Sequence, residues 1–353
     1  MDTEKYLPKS FVLWYSITAY SILLKRGVIH KIMTKSNPAA ELKKPAGKIT
    51  FSIAVDATTP PAIFMSATAP AILGVLLSAE RTGQLPFWLT VCLILIPTLM
   101  NAAVNILNDY FDYISGNDTS SNIAYESDAP LAYHQVENPR PAFWIGIVLF
   151  SLAGIMGIYV IAAAGILPAI IGLFGAVIAV TYSGVKGATS YLPIGEPLAG
   201  FTMGGLIPLG VYAALTGEMD WIVLYKAIPM MLIVTQFMLL NNTCDRERDQ
   251  AVGRRTLPIV IGQKKAQKLA NIVSVFWILL LLHSVITWYT YGTIIILGML
   301  LSVRKNYLLT FKQERTRETK IPATLALVPV ASGIAIAYPL AVIVHLLVKL
   351  LLA

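Results

Sequence analysis

Apolar and polar positions alternate along this chain in long blocks. Nine mostly apolar runs, near residues 62–79, 87–107, 142–163, 165–183, 196–215, 221–241, 268–288, 290–303 and 321–348, are joined by polar connections. A helix rising ~1.5 Å per residue needs ~20 apolar residues to cross a hydrocarbon core ~30 Å thick. The pattern therefore predicts an all-α, polytopic membrane protein with about nine transmembrane helices. The eighth run is short, and the fourth and fifth contain Gly and Pro, so eight or ten spans also fit. The runs are continuous and lack the two-residue alternation of a barrel strand, which argues against a transmembrane β-barrel.

Composition agrees. Of 353 residues, 56% are hydrophobic and 13% charged, against roughly 25% charged in a soluble domain; the mean hydropathy is +0.68. If the amino terminus faces the cytoplasm, all of the 27 Lys and Arg except Arg81, Lys226 and Lys349 fall on the inner side, as the positive-inside rule requires. The expected location is the cell (inner) membrane, with the active face toward the cytoplasm. The net charge of +8 is dispersed over those inner loops, where topology and anionic headgroups account for it, so nucleic-acid binding is not expected. Cys92 and Cys244 do not suggest a disulfide framework. Residues 1–55 read as a basic extension: Phe11 to Leu24 is apolar but, at about fourteen residues, too short to span. With Lys25, Arg26, Lys31, Lys35, Lys43, Lys44 and Lys48 following, it suits an interfacial amphipathic helix or a basic tail, and no signal-peptide cleavage pattern is apparent. Residues 56–353 form the transmembrane domain.

Against this background two acidic stretches stand out, Asn108-Asp109-Tyr110-Phe111-Asp112 and Asp245-Arg246-Glu247-Arg248-Asp249, each at the end of an apolar run. Carboxylates beside a bilayer are costly, so they mark function. Residues three and four apart share a helix face, which lets Asn105, Asn108, Asp109 and Asp112 project together. Gly116 provides a helix stop that can turn Asp118 back toward them. Asn241, Asp245 and Asp249 form a second oxygen-rich face. Such hard donors suit Mg2+, which keeps several waters and bridges one or two carboxylates to substrate phosphates. Arg254, Arg255 and Lys186 are cations for a diphosphate. The bland alternative, helix-end pairing with Arg246 and Arg248, could serve the second cluster. It leaves the first unexplained, since no Lys or Arg occurs between Arg81 and Arg140. The matching positions of the two clusters, after the second and sixth runs, suggest two related halves with a site at their interface.

NDYFDYISGND at 108–118 paired with NNTCDRERDQAVGRRTLP at 241–258 resembles the UbiA superfamily of intramembrane prenyltransferases, and the first motif is similar to the 1,4-dihydroxy-2-naphthoate prenyltransferases of menaquinone synthesis. The likeness extends through Pro60-Pro61, Ala69 to Gly74, Tyr182-Ser183 and Gly195-Glu196. It implies helices around a central cavity capped on the cytoplasmic side. It implies Asn108, Asp112, Asp118, Asp245 and Asp249 as metal ligands, and Asp109, Asp112, Asp245 and Lys186 as catalytic residues. Asn108, Tyr110, Arg140, Tyr182, Lys186, Asn241, Arg254 and Arg255 would bind substrate. The chain departs from the family in reading Thr58-Thr59-Pro60 where an Arg often precedes the Pro, and Glu137 to Ala142 where Asn-Arg-Pro-Leu is frequent.

The expected activity is Mg2+-dependent transfer of a polyprenyl group from its diphosphate to an aromatic acceptor of the naphthoate or phenol type. Other acceptors, or cyclisation of the prenyl chain, use the same site chemistry. A cation-coupled transporter would carry its acids at the midplane, whereas these lie at helix ends beside Arg pairs.

Overall fold

Pro and Gly decide where the apolar runs break. The computed structural model describes residues 47–120, 123, 128–183, 189–251 and 253–352. The anticipated interfacial helix and Lys186 lie outside the described residues. The helices are α1 (Phe51–Thr82), α2 (Phe87–Ile114), α3 (Arg140–Ala164), α4 (Ile166–Ser183), α5 (Gly195–Thr216), α6 (Ile222–Cys244), α7 (Gln263–Trp288), α8 (Thr290–Lys312) and α9 (Lys320–Leu352). Among the described residues, eight are long and apolar enough to cross a membrane, and α4 contributes a shorter apolar stretch, Ile166–Ala179. Every expected run has become a helix. The first begins at Phe51, ahead of the expected boundary at residue 56, with Thr50 accepting from the Ile53 N–H as its cap.

A proline disfavours helical geometry in the residue before it. Thr59, before Pro60-Pro61, adopts a left-handed conformation (φ 52°) and interrupts α1. Asn105 of α2 donates to the Thr58 carbonyl (2.9 Å) and to Thr59 Oγ1 (2.6 Å), which satisfies the groups this break exposes. Asn105 is therefore committed to the fold and does not project into a shared acidic cavity, contrary to expectation. Beyond the break α1 passes through a π-helical turn, Phe64–Thr68, and α5 contains another, Gly200–Leu206. The irregularity thus recurs in the two helices that directly precede those carrying the acidic motifs, α2 and α6.

Small residues bring α1, α5 and α6 close, as membrane helices without a water-driven core require. A Cβ on Gly74 would stand 2.7 Å from the Pro208 carbonyl oxygen, and one on Gly200 2.5 Å from that of Met231. The interior is filled by Trp277, Tyr289, Tyr338, Leu73 and Met230. By contrast, α3 buries only 17% of its apolar window and exposes Trp144, Ile155 and Ile158, as a lipid-facing helix should.

At the end opposite the acidic motifs, Lys226 pairs with Glu80 at 3.0 Å and Tyr289 donates to the same carboxylate at 3.2 Å. Lys226 and Arg81, two of the cations that broke the inner-side pattern, thus share this face with Glu80 and Glu218.

Candidate active site

Helix α2 continues past its apolar run to Ile114, so Asn108, Asp109 and Asp112 are helical. Gly116 then takes a left-handed turn (φ 76°) and the Asp118 N–H donates to the Asp112 carbonyl at 3.0 Å. The chain reverses here, which is what the glycine stop predicts. On the other side, α6 ends at Cys244; Asp245 caps it, its N–H donating to the Asn241 carbonyl, and a short helix, Arg246–Ala251, carries Asp249. Gly253 (φ 80°) turns the chain so that Arg254 points back.

The two motifs meet. Asp112, Asn117, Asp118, Arg248, Asp249 and Arg254 line one narrow cleft. Arg248 reaches from the second motif to Asp118 of the first at 3.0 Å, with Asp245 at 3.9 Å. Arg254 bonds Asp249 at 3.1 Å, approaches Asp112 at 4.0 Å and stacks over the Tyr191 ring at 5.0 Å. Lys320, at the start of α9, lies 2.7 Å from Asp245 and 2.5 Å from Asp128. Burial raises the Asp118 carboxyl to about 6, against the pull of Arg248. Burial likewise raises Asp249 despite Arg254.

Other candidate residues sit at the margin. Asp109 is buried and accepts from the Leu131 N–H at 3.2 Å, tying the turn Pro130–Tyr133 to α2. Tyr110 packs against Phe143 of α3 at 5.5 Å. Arg140 opens α3, exposed, in a largely apolar groove with Trp144 and Val148. Arg255 is exposed, with its N–H donating to the Tyr191 carbonyl. Asn108 and Asn241 are half-buried, and Tyr182 lies in the last turn of α4. Glu196, fully buried, accepts from Asn242 at 2.8 Å and so anchors the end of α6.

Three participants went unassigned by sequence reasoning: Arg248 as a bridge, Asp128 and Lys320. Sequence spacing assigns Arg248 only as a helix-end partner, and the other two carry no local pattern.

The donor set fits a divalent cation. Among the described residues five ion-paired carboxylates, Asp112, Asp118, Asp128, Asp245 and Asp249, share the three cations Arg248, Arg254 and Lys320. That acidic excess, made wholly of hard oxygen donors, suits Mg2+. No group of three acidic, His or Cys side chains among the described residues forms a protein-only metal cage. A metal that takes one or two carboxylates and completes its shell with water and phosphate does not need one.

The sequence profile of the UbiA prenyltransferase family matches residues 67–328. This chain belongs to the UbiA prenyltransferase family. It is 27% identical over 233 residues to the 1,4-dihydroxy-2-naphthoate octaprenyltransferase of Bacillus subtilis, covering 64% of this chain and 70% of that one. It is also 27% identical over 202 residues to the UbiA prenyltransferase domain-containing protein 1 of Gallus gallus, covering 56% of this chain and 59% of that relative's length. In fold it resembles a UbiA homolog from Archaeoglobus fulgidus solved with GPP and Mg2+, with a TM-score of 0.57 and 16% identity over 82% of this chain and 99% of that one. The chain is thus an integral membrane prenyltransferase of the UbiA fold.

Proposed function

We propose that this UbiA prenyltransferase moves a polyprenyl group from its diphosphate to 1,4-dihydroxy-2-naphthoate, a step of menaquinone synthesis, with Mg2+ as cofactor and the site facing the cytoplasm. The observation that carries the reading is the pair of arginines spanning the two motifs, Arg248 to Asp118 at 3.0 Å and Arg254 between Asp249 and Asp112. They gather acids and bidentate donors where a metal diphosphate would be gripped. The Bacillus subtilis relative supports the acceptor, and the Archaeoglobus fulgidus homolog, solved with GPP and Mg2+, supports the donor and the metal. The inner-side bias of Lys and Arg supports the orientation.

Asn108, Asp112, Asp118, Asp245 and Asp249 would hold Mg2+, with Asn241 beside them. When bound, the metal would neutralise charge building on the leaving diphosphate. Arg254 and Arg248, together with Arg255 and Lys186, would add cationic stabilisation of the same oxygens. The allylic C–O bond breaks and its electron pair leaves with the diphosphate. The apolar interior of the bundle excludes water from the allylic cation. An electron-rich ring carbon then attacks, forming the C–C bond, and loss of a proton, or of CO2 from a naphthoate, restores aromaticity. Asp109 contributes by holding the Pro130–Tyr133 turn at the site; Tyr110, Arg140 and Tyr182 would bind substrate.

The test is prenyl transfer by purified protein in detergent with Mg2+, a series of polyprenyl diphosphates and 1,4-dihydroxy-2-naphthoate, read by mass spectrometry. A prenylated naphthoquinol or its quinone, absent with EDTA, is expected. Diphosphate release without adduct would keep the donor half and reject the acceptor; no release would reject the whole reading.

A pH dependence follows from Asp118. A metal ligand must lose its proton, and Asp118 takes its proton at about 6. The Mg2+ concentration giving half-maximal thermal stabilisation is expected to rise about tenfold from pH 7.5 to pH 5, with a shallower rise in Asp118→Asn. A flat wild-type profile would remove Asp118 from the metal set.

A further inference from the structure

Lys320 occupies a place that helix energetics does not favour. It opens α9, 2% exposed, with no acidic residue in the first turn of that helix. The positive end of a helix dipole repels a cation, and burial removes the water that would solvate it. Two carboxylates from other segments meet the ammonium there, Asp245 of the second motif at 2.7 Å and Asp128 of the α2–α3 connection at 2.5 Å. The connection before it is anchored independently. Arg315, also 2% exposed, donates to the carbonyls of Gln267 and Thr310 and to Asn271 Oδ1, and its own carbonyl accepts from Gln263. Lys320 is thus delivered to Asp245 by a braced turn.

Resting on the Mg2+ and diphosphate reading above, we infer that Lys320 is a resident counter-ion of the metal site, holding Asp245 while no divalent cation is bound and turning to the diphosphate when one is. A Lys ammonium is a point charge on a flexible four-carbon stem, so it can leave Asp245 without moving the helix. Once Asp245 serves a dication, the ammonium is repelled from it and attracted to the diphosphate oxygens. Asp128 is its second tether throughout. Lys320 therefore opposes metal binding in the absence of diphosphate and favours diphosphate binding in its presence.

The two roles have opposite signs, which separates them from a packing role. Full-length wild type, Lys320→Met and Lys320→Arg are purified in detergent. Thermal unfolding is followed against Mg2+ alone, and against inorganic diphosphate at saturating Mg2+. In Lys320→Met the half-saturating Mg2+ concentration is expected to fall about tenfold and that of diphosphate to rise about tenfold, while Lys320→Arg stays within about threefold of wild type on both. Shifts of both midpoints in one direction, or of neither, would overturn the inference and leave the prenyltransferase reading intact. Absence of Mg2+-dependent diphosphate binding in the wild type would instead strike that reading itself. Should Lys320→Met not fold, Asp128→Asn carries the test. With one tether gone, Lys320 grips Asp245 harder, and the half-saturating Mg2+ concentration is expected to rise severalfold; no change would overturn the inference.

Discussion

Asp112→Asn is expected to lower prenyl transfer on the order of 10³-fold while leaving the bundle folded. The substitution is nearly isosteric. Asn117 donates to Asp112 Oδ1 at 3.1 Å, and an amide oxygen can still accept that bond. Arg254 keeps its closer partner, Asp249 at 3.1 Å, and loses only a contact at 4.0 Å. Asp112 retains 31% side-chain exposure, so the stability change should remain below ~1 kcal/mol after solvent screening. What disappears is one negative donor facing the second motif. Without it the metal diphosphate loses a ligand while the leaving group develops charge, a loss felt in the transition state more than in the ground state. The measurement is single-turnover release of diphosphate beside a thermal unfolding curve. Unchanged release with an unchanged curve would remove Asp112 from the reaction, whereas loss of both together would mean that it serves the fold.

The helices and both acidic motifs were legible in the sequence because each is written locally. An apolar run of sufficient length marks a span, and acids at its end, spaced by three and four, share a face. Even the reversal that brings Asp118 back was readable from Gly116. The ion pairs that close the site were not. Lys320 meets Asp128 across 192 positions and Asp245 across 75, and no periodicity reports a contact made only when the ends of two helices and the α2–α3 connection converge. Arg248 was legible as a charge but not as a bridge, since its local partner at Asp245 is farther, at 3.9 Å, than its distant one at Asp118, at 3.0 Å. Asn105 misled for the opposite reason. Its spacing put it with the acids, yet the strained Thr59 backbone, a consequence of Pro60, claimed its side chain.

Gly204→Val is expected to cost more than any single substitution on the membrane's lipid side, because it acts where two backbones touch. A Cβ at Gly204 would stand 2.3 Å from the Met231 nitrogen and 2.4 Å from its Cα. Neither is the end of a flexible side chain, so the only relief is for α5 to move off α6. Gly200, four positions earlier, meets the same helix, 2.5 Å from the Met231 carbonyl oxygen, so the two glycines form one contact strip. Overpacking of this kind costs about 1–3 kcal/mol, and a branched side chain against backbone belongs at or above the upper end. Helix α6 also carries Asn241 and ends at the Asp245 cap. Displacing it separates the second motif from Asp118 and Asp112, and a shift of ~1 Å at reacting groups can cost on the order of 10²-fold in rate. Stability and prenyl transfer should therefore fall together, which distinguishes Gly204→Val from Asp112→Asn. Gly154→Ala on α3 supplies the contrast. Nothing lies within 4 Å of its added Cβ, and exchanging a helical glycine for alanine there should stabilise by up to ~1 kcal/mol. Thermal unfolding of both variants in one detergent checks the pair, and equal behaviour would mean that the close approach of α5 to α6 does not set the position of the second motif.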